Sequence, residues 1–308
     1  MSNEGRASLS VVLPVFNEVE TIGELTANLI AVLENANRSY EVIFVDDGSS
    51  DETLTVLKEI KQEYPSKIVI ARHLNNKGNG AALRTGFRVA ENDIVISMDA
   101  DGQHAPEDIL ELIKDIPPYD LVIGARTEDY RGGWHRGLAN RFYNWFASWL
   151  SQFEVMDLTS GFRAMRRDAV THFLPLFPTG FSAPTTTTLA FLKAGYNVKF
   201  QPIHVHVRQG GSSKISIWSD GYRFVMVILR MIMLYDPLRI FVPTGLILGI
   251  LGILAGIAGI VQAQRLVIAN SAIFLLLAGL VTWLLGLLAS QIASTQVQYH
   301  GDETIIIE

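Results

Sequence analysis

The chain has 308 residues, no cysteine and a formal net charge of −6, with a pI near 5.7. No thiol means no disulfide and no thiolate zinc site, which fits a reducing compartment. The acidic balance leaves no basic surplus to neutralise a phosphate backbone, so a nucleic-acid binder is not expected. Its length admits one large domain, or one domain and an appendage.

The opening MSNEGRASLS has no long apolar core, so it does not read as a secretory signal. From there short apolar runs alternate with amphipathic ones. LSVVLPVF (9–16), YEVIFVDDGSS (40–50), KIVIARHL (67–74) and DIVISMDAD (93–101) read as strands. Between them, 18–36, 51–64 and 78–92 read as helices. Near-continuous Val and Ile in strands that alternate with helices predicts an α/β domain, its mainly parallel sheet covered on both faces. Ligands of such sheets bind beyond the carboxyl ends of the strands. The polar signals fall there: Asn17-Glu18, Asp46-Asp47, and the pair Asp99 and Asp101.

No GxGxxG follows the first strand, and NNKGNGAAL lacks the GK[ST] ending of a phosphate loop, so it reads as a turn and helix start. A bare D-x-D carries little weight, but its setting at a strand end adds to it. Side chains two apart on extended backbone point the same way. Two carboxylates that close need a cation, or one must take a proton. Their oxygens favour Mg²⁺ or Mn²⁺, which bridge to nucleotide phosphates, and Gln103 could add a carbonyl oxygen. The competing reading of DGQHAPED is a turn and helix cap, with Asp101 capping.

Further along, GLANRFYNWFASWLSQF (137–153) sets Leu138, Phe142, Trp145, Phe146, Trp149, Leu150 and Phe153 on one helical face, suited to a membrane interface or to packing on the sheet. His204 and His206 alternate on an expected strand and read as strand-face residues, not metal ligands. Residues 216–239 form a second apolar helix leading into two uncharged runs, 241–261 and 271–293. Each is long enough to cross about 30 Å of hydrocarbon. Gly245, Gly249, Gly252, Gly256 and Gly259 follow the close-packing spacing of membrane helices. Arg223, Arg230 and Arg239 precede the hairpin while its linker holds only Arg265, which places the N-terminal part in the cytoplasm. The expected layout is a soluble domain over 1–215, an interfacial helix over 216–239, two spans within 240–294 and a short tail over 295–308.

The stretches VVLPVFNE, FVDDGSSDET, NKGNGAALRTGF, MDADGQHAPE, GAR, SGFRAM and RQGGSSK stand in the order and spacing of inverting family 2 glycosyltransferases of the GT-A fold. Over roughly residues 8–235 the chain resembles the polyprenyl-phosphate sugar transferases of that family, and its terminal hairpin resembles that of the bacterial glucosyltransferases of the group. The resemblance implies that Pro14, Phe16, Glu18, Val45 and Asp47 hold the base and ribose of a nucleotide sugar, GDP-mannose or UDP-glucose. It implies that Asp99, Asp101 and Gln103 hold a divalent metal and the donor diphosphate. Arg126, Arg136 and Asn140 would receive the phosphate of a polyprenyl or dolichyl acceptor, with Asn140 standing where some relatives have serine. Arg208 and Lys214 would close over the donor, although an ordinary solvated basic loop explains them as well. Ser160 and Arg163 fall beside the acceptor site in the family, and packing alone could account for them.

A hydroxyl acceptor needs a general base and an ionised phosphate does not. Sugar-polymer synthases of the superfamily carry that base in a T-E-D type motif, whose positions here fall near Ala183 and Pro184, and their Q-x-x-R-W motif is absent. Both absences favour a lipid phosphate in a membrane, with self-association through the spans as a second role for them. A hydroxyl-acceptor enzyme would have to use a carboxylate elsewhere, such as Asp157, so that Asp157→Asn leaves activity largely intact if the acceptor is phosphate. A non-catalytic nucleotide-sugar sensor is the remaining alternative.

Overall fold

The computed structural model describes residues 7–126, 134–177, 183–203, 217–264 and 269–296. The chain divides into two units that meet in sequence between Ile228 and Leu229. The first unit is built on strands β1 (Leu9–Val15), β2 (Tyr40–Asp46), β3 (Ile68–Arg72), β4 (Ile94–Ser97), β5 (Leu121–Arg126), β6 (Arg163–Arg166) and β7 (Val198–Ile203). Helices α1 (Ile22–Asn35), α2 (Thr53–Glu63), α3 (Asn79–Val89), α4 (Asp108–Lys114), α5 (Trp134–Ser151), α6 (Arg167–Phe173) and α7 (Ala183–Lys193) are interleaved with them, followed by α8 (Ile217–Tyr235).

The strands form one sheet in the order β3-β2-β1-β4-β6-β5-β7. The pairs β1–β2, β2–β3, β1–β4 and β5–β7 are parallel, and β6 runs antiparallel to both β4 and β5. The mainly parallel sheet expected from the Val/Ile runs is therefore present, with one reversed strand inserted. Leu9, Val11, Phe44 and Ile96 on one face and Val12, Ile43 and Val95 on the other have no exposed surface, as strands covered on both faces require. Ile22, Leu25, Leu29 and Leu33 bury one stripe of α1 at helical spacing.

Helix α3 lies so close to the sheet that a Cβ on Gly86 would collide with Val12 Cγ1 and stand 3.2 Å from Val45 Cγ2. Gly86→Ala is therefore expected to destabilise this unit by about 1–3 kcal/mol through overpacking, measured as a lowered thermal unfolding midpoint with unchanged helix content.

The second unit contains α9 (Leu238–Ala263) and α10 (Asn270–Gln296), both long and apolar enough to cross a membrane. They pack on each other through the glycine spacing. A Cβ on Gly245 would stand 3.0 Å from the Gly279 carbonyl, one on Gly279 would stand 2.8 Å from the Gly245 carbonyl, and one on Gly252 would meet Leu276. The stripe thus serves the hairpin's own close packing. Leu246, Ile250, Ile253, Phe274, Leu277 and Leu288 are left exposed, a surface suited to hydrocarbon.

Candidate active site

Because β4 and β5 both run opposite to β6, the carboxyl ends of β1, β2, β4 and β5 share one edge with the amino end of β6. Pro14, Phe16, Glu18, Asp47, Asp99, Asp101, Gln103 and Arg126 all lie along it. Arg208, Lys214, His204 and His206 lie outside the described residues, as does Arg265. Arg136 and Asn140 belong to the backbone of α5, and their side chains lie outside what is described.

The loops along this edge are laced together. Asn17 N–H donates to Ser49 Oγ (3.0 Å), and Asn17 Oδ1 accepts from Ser50 N–H (2.8 Å). Glu18 N–H donates to Thr53 Oγ1 (3.0 Å). Thr21 Oγ1 donates to the Ala100 carbonyl (3.1 Å), which ties the β1 loop to the Asp99–Asp101 turn. Asp47 is buried and strongly engaged: its Oδ1 accepts from Lys77 N–H (2.9 Å) and pairs with His73 Nδ1 (2.6 Å), and its Oδ2 accepts from Gly78 N–H (2.7 Å). His73 Nε2 meets Thr85 Oγ1 at 2.9 Å. Asp47 thereby anchors the Gly-rich loop. Val45 has no exposed surface.

Asp99 and Asp101 follow β4 and are partly exposed, with Asp101 Oδ1 accepting from Gln103 N–H (3.1 Å). A Cβ on Gly161 would stand 2.8 Å from Asp99 Oδ2, so the glycine leaves the space that this carboxylate occupies. Among the described residues no group of three or more His, Cys, Asp or Glu side chains gathers to cage a metal. Two carboxylates and a carbonyl donor fit Mg²⁺ or Mn²⁺ bound together with substrate phosphates and water, which is how such ions are held when no all-protein cage exists.

Behind the pair, His104 is 6 % exposed and stacks on Phe162 (centroids 4.9 Å apart). Burial pushes its pKa down to about 4, against the opposing pull of Asp101. The imidazole is therefore neutral at pH 7 and adds no charge beside the two aspartates. Between pH 6.5 and 4 the unfolded chain takes up a proton that the folded one refuses, so stability falls as pH falls through this window. The expected loss is about 3 kcal/mol. Thermal unfolding at pH 7 and pH 4.5 checks this: His104→Phe, which keeps the stacking, should flatten the slope.

Arg126 ends β5 and is gripped by Asp157. Its Nε donates to Asp157 Oδ2 (2.7 Å), and its Nη2 donates to Asp157 Oδ1 (2.9 Å) and to Thr159 Oγ1 (2.6 Å). Burial pushes the Asp157 carboxyl up, but the Arg126 hydrogen bonds and charge outweigh it and hold the group below the ordinary carboxylate range. Next along, Arg163 is buried beneath Asp99. Burial lowers its guanidinium to about 10, and the charges of Asp157 and Asp99 act to raise it, so it is cationic at pH 7. The edge thus alternates Arg126, Asp157, Arg163 and Asp99 in sign. Sequence reasoning missed His73, Thr85, Thr21, Gly161 and the Asp157 clamp. Gly161 left a trace as the glycine of SGF, and in the sequence Asp157 reads only as a candidate base, not as the partner of Arg126.

Residues 10–174 match glycosyl transferase family 2, and residues 236–295 match the GtrB C-terminal hairpin. The chain belongs to glycosyl transferase family 2. It is similar to the undecaprenyl-phosphate 4-deoxy-4-formamido-L-arabinose transferase of Edwardsiella ictaluri (strain 93-146), at 31% identity over 186 residues. That alignment covers 58% of this chain and 57% of the relative, so the chain spans little more than half of the relative's length. Among solved structures it is similar in fold to glucosyl-3-phosphoglycerate synthase from Mycobacterium tuberculosis, crystallised with Mn²⁺, UDP and phosphoglyceric acid. There the TM-score is 0.59 at 18% identity over 74% of this chain and 80% of that one. The same enzyme with Mg²⁺ and UDP gives a TM-score of 0.59 at 19% identity, with the same coverage. This family 2 chain thus has the GT-A-like fold that its motifs imply.

Proposed function

We propose that this protein transfers a hexose, mannose or glucose, from a nucleotide diphosphate sugar to a polyprenyl phosphate at the cytoplasmic face of a membrane, inverting the anomeric centre. The observation that carries the reading is Arg126, a guanidinium fixed on the same sheet edge as Asp99 and Asp101 by the buried carboxylate of Asp157. A carboxylate committed to a two-point ion pair and held below its ordinary range is a poor general base. A phosphate acceptor needs none, because it is ionised at pH 7 and requires cations to orient it. The likeness to an undecaprenyl-phosphate sugar transferase supports the same acceptor class.

In this reading Pro14, Phe16 and Glu18 line the base and ribose side, while Asp47 keeps the adjoining loop in place. Asp99, Asp101 and Gln103 hold a divalent cation, which stabilises the charge gathering on the departing diphosphate. Arg126, with Arg136 and Asn140 of α5, orients the acceptor phosphate for attack on the far side of the anomeric carbon, so that an α-linked donor gives a β-linked product. Arg208 and Lys214 close over the donor. The two apolar helices anchor the chain, and Trp145 and Trp149, 61% and 47% exposed, give α5 an aromatic surface for the bilayer interface. The arginines before the hairpin support the cytoplasmic side.

The test offers polyprenyl phosphate and the corresponding polyprenol side by side, with labelled donor, and determines the configuration of the product. Product from the phosphate alone, β-linked, is expected. Product from the alcohol with the phosphate inert would overturn the proposal in favour of a hydroxyl acceptor.

A further inference from the structure

Arg163, at the amino end of β6, carries a charge that the reading above does not use. It is 2% exposed and, among the described residues, forms no ion pair. Its fork is held by neutral acceptors instead. Nη1 donates to the Pro184 carbonyl (2.9 Å) and Thr188 Oγ1 (3.3 Å), both on α7, and Nη2 donates to the Ser160 carbonyl. Its Nε has no hydrogen-bond partner among the described residues. Burying a guanidinium is costly, and here it is offset only by three neutral acceptors and by the charges of Asp157 and Asp99 acting at longer range, so its placement calls for a role.

The segment that it grips supplies one. Ser160 is followed by Gly161, whose carbonyl accepts from Ser97 Oγ (2.7 Å) at the end of β4. The missing Cβ of Gly161 leaves room for both oxygens of Asp99, at 2.8 and 3.2 Å from where that atom would stand. In register, Arg163 lies opposite Ser97, two residues before Asp99. The peptide from Ser160 to Phe162 is therefore the floor on which the Asp99 carboxylate rests. Arg163 staples that floor to the first two turns of α7.

We propose that Arg163 is a positioning residue for the cation site: by tying the Ser160 carbonyl to Pro184 and Thr188, it fixes the floor under Asp99 and so sets the geometry in which Asp99 and Asp101 meet a divalent cation. The inference rests on reading that pair as the cation site. Only a planar fork reaches all three acceptors at once, so lysine does not replace it.

The experiment titrates Mn²⁺ into the full-length protein in detergent with UDP and, separately, with GDP present, followed by electron paramagnetic resonance, with thermal unfolding measured in parallel. Arg163→Lys is expected to weaken Mn²⁺ binding by about tenfold or more, as supporting residues of metal sites do. Gly161→Ala should do the same by pushing on Asp99 directly. Thr185→Val removes a buried hydroxyl that makes no hydrogen bond among the described residues and should bind as the unaltered protein does. A folded Arg163→Lys protein with undiminished Mn²⁺ affinity would overturn the proposal. If that variant fails to fold, Gly161→Ala decides: full affinity in a folded Gly161→Ala protein overturns it equally. If the unaltered protein and Asp99→Asn bind Mn²⁺ alike, the cation-site reading itself fails, a pattern distinct from the other two.

Discussion

Asp99→Asn and Asp101→Asn are each expected to lower sugar transfer by about a hundredfold or more, and Asp101→Asn to do so without lowering the thermal unfolding midpoint of the metal-free protein. Both side chains keep their shape as amides, and the amide oxygen introduced by Asp101→Asn can still accept the Gln103 N–H bond seen at 3.1 Å. What is lost is charge. In the metal-free protein two neighbouring carboxylates repel, so neutralising Asp101 relieves that repulsion and leaves stability unchanged or slightly raised, whereas neutralising Asp99 also removes a charge that acts favourably on the buried Arg163. With donor present the same change removes half of the protein's anionic contribution to the cation. Steady-state rates across a Mg²⁺ or Mn²⁺ titration, paired with melting curves, separate the two effects. Variants that melt early and regain full turnover in excess metal would make the aspartates structural caps, the alternative reading of DGQHAPED.

The second large effect concerns Arg126 and its clamp. Arg126→Ala should raise the acceptor KM by about a hundredfold, the loss of a charge-assisted contact to phosphate. Sequence reasoning expected Asp157→Asn to leave activity largely intact with a phosphate acceptor. The two-point hold on Arg126 changes that expectation. An amide keeps one acceptor oxygen but loses the charge, so Arg126 is held less firmly, and the acceptor KM should rise by about tenfold while the donor KM stays put. The pH profile distinguishes this from base catalysis. Because its carboxyl is held below the ordinary range, Asp157 is ionised across pH 5–9 and contributes no limb there. An acidic limb in the rate profile that disappears in Asp157→Asn, with kcat down about a thousandfold, would identify it as a base and favour a hydroxyl acceptor.

Much of the architecture was legible because the sheet is covered on both faces. That burial forces the unbroken Val/Ile runs of β1 to β4, and the same topology puts Asn17, Asp47 and Asp99 at one edge. The hairpin was legible because two uncharged runs of more than 20 residues are long and apolar enough to cross a membrane as helices. Strand β6 was not read: RAMR is four residues with two arginines, and only its pairing between β4 and β5 makes it a strand. The Asp157 clamp and the bed of Asp99 on Gly161 join residues about 31 and 62 positions apart in sequence, and such contacts are set by topology, not by local pattern. His104 reads locally as a turn histidine, and its burial against Phe162 likewise depends on the packing of a distant strand.

Metal-dependent transfer to a lipid phosphate is measured on the purified full-length protein with UDP-glucose and GDP-mannose labelled in the sugar, polyprenyl phosphate, and Mg²⁺ or Mn²⁺, with and without chelator, followed by extraction into organic solvent. Label is expected in the organic phase from one donor, abolished by chelator and by Asp99→Asn. Label that reaches the organic phase equally well in chelator and in Asp99→Asn would contradict metal-dependent transfer.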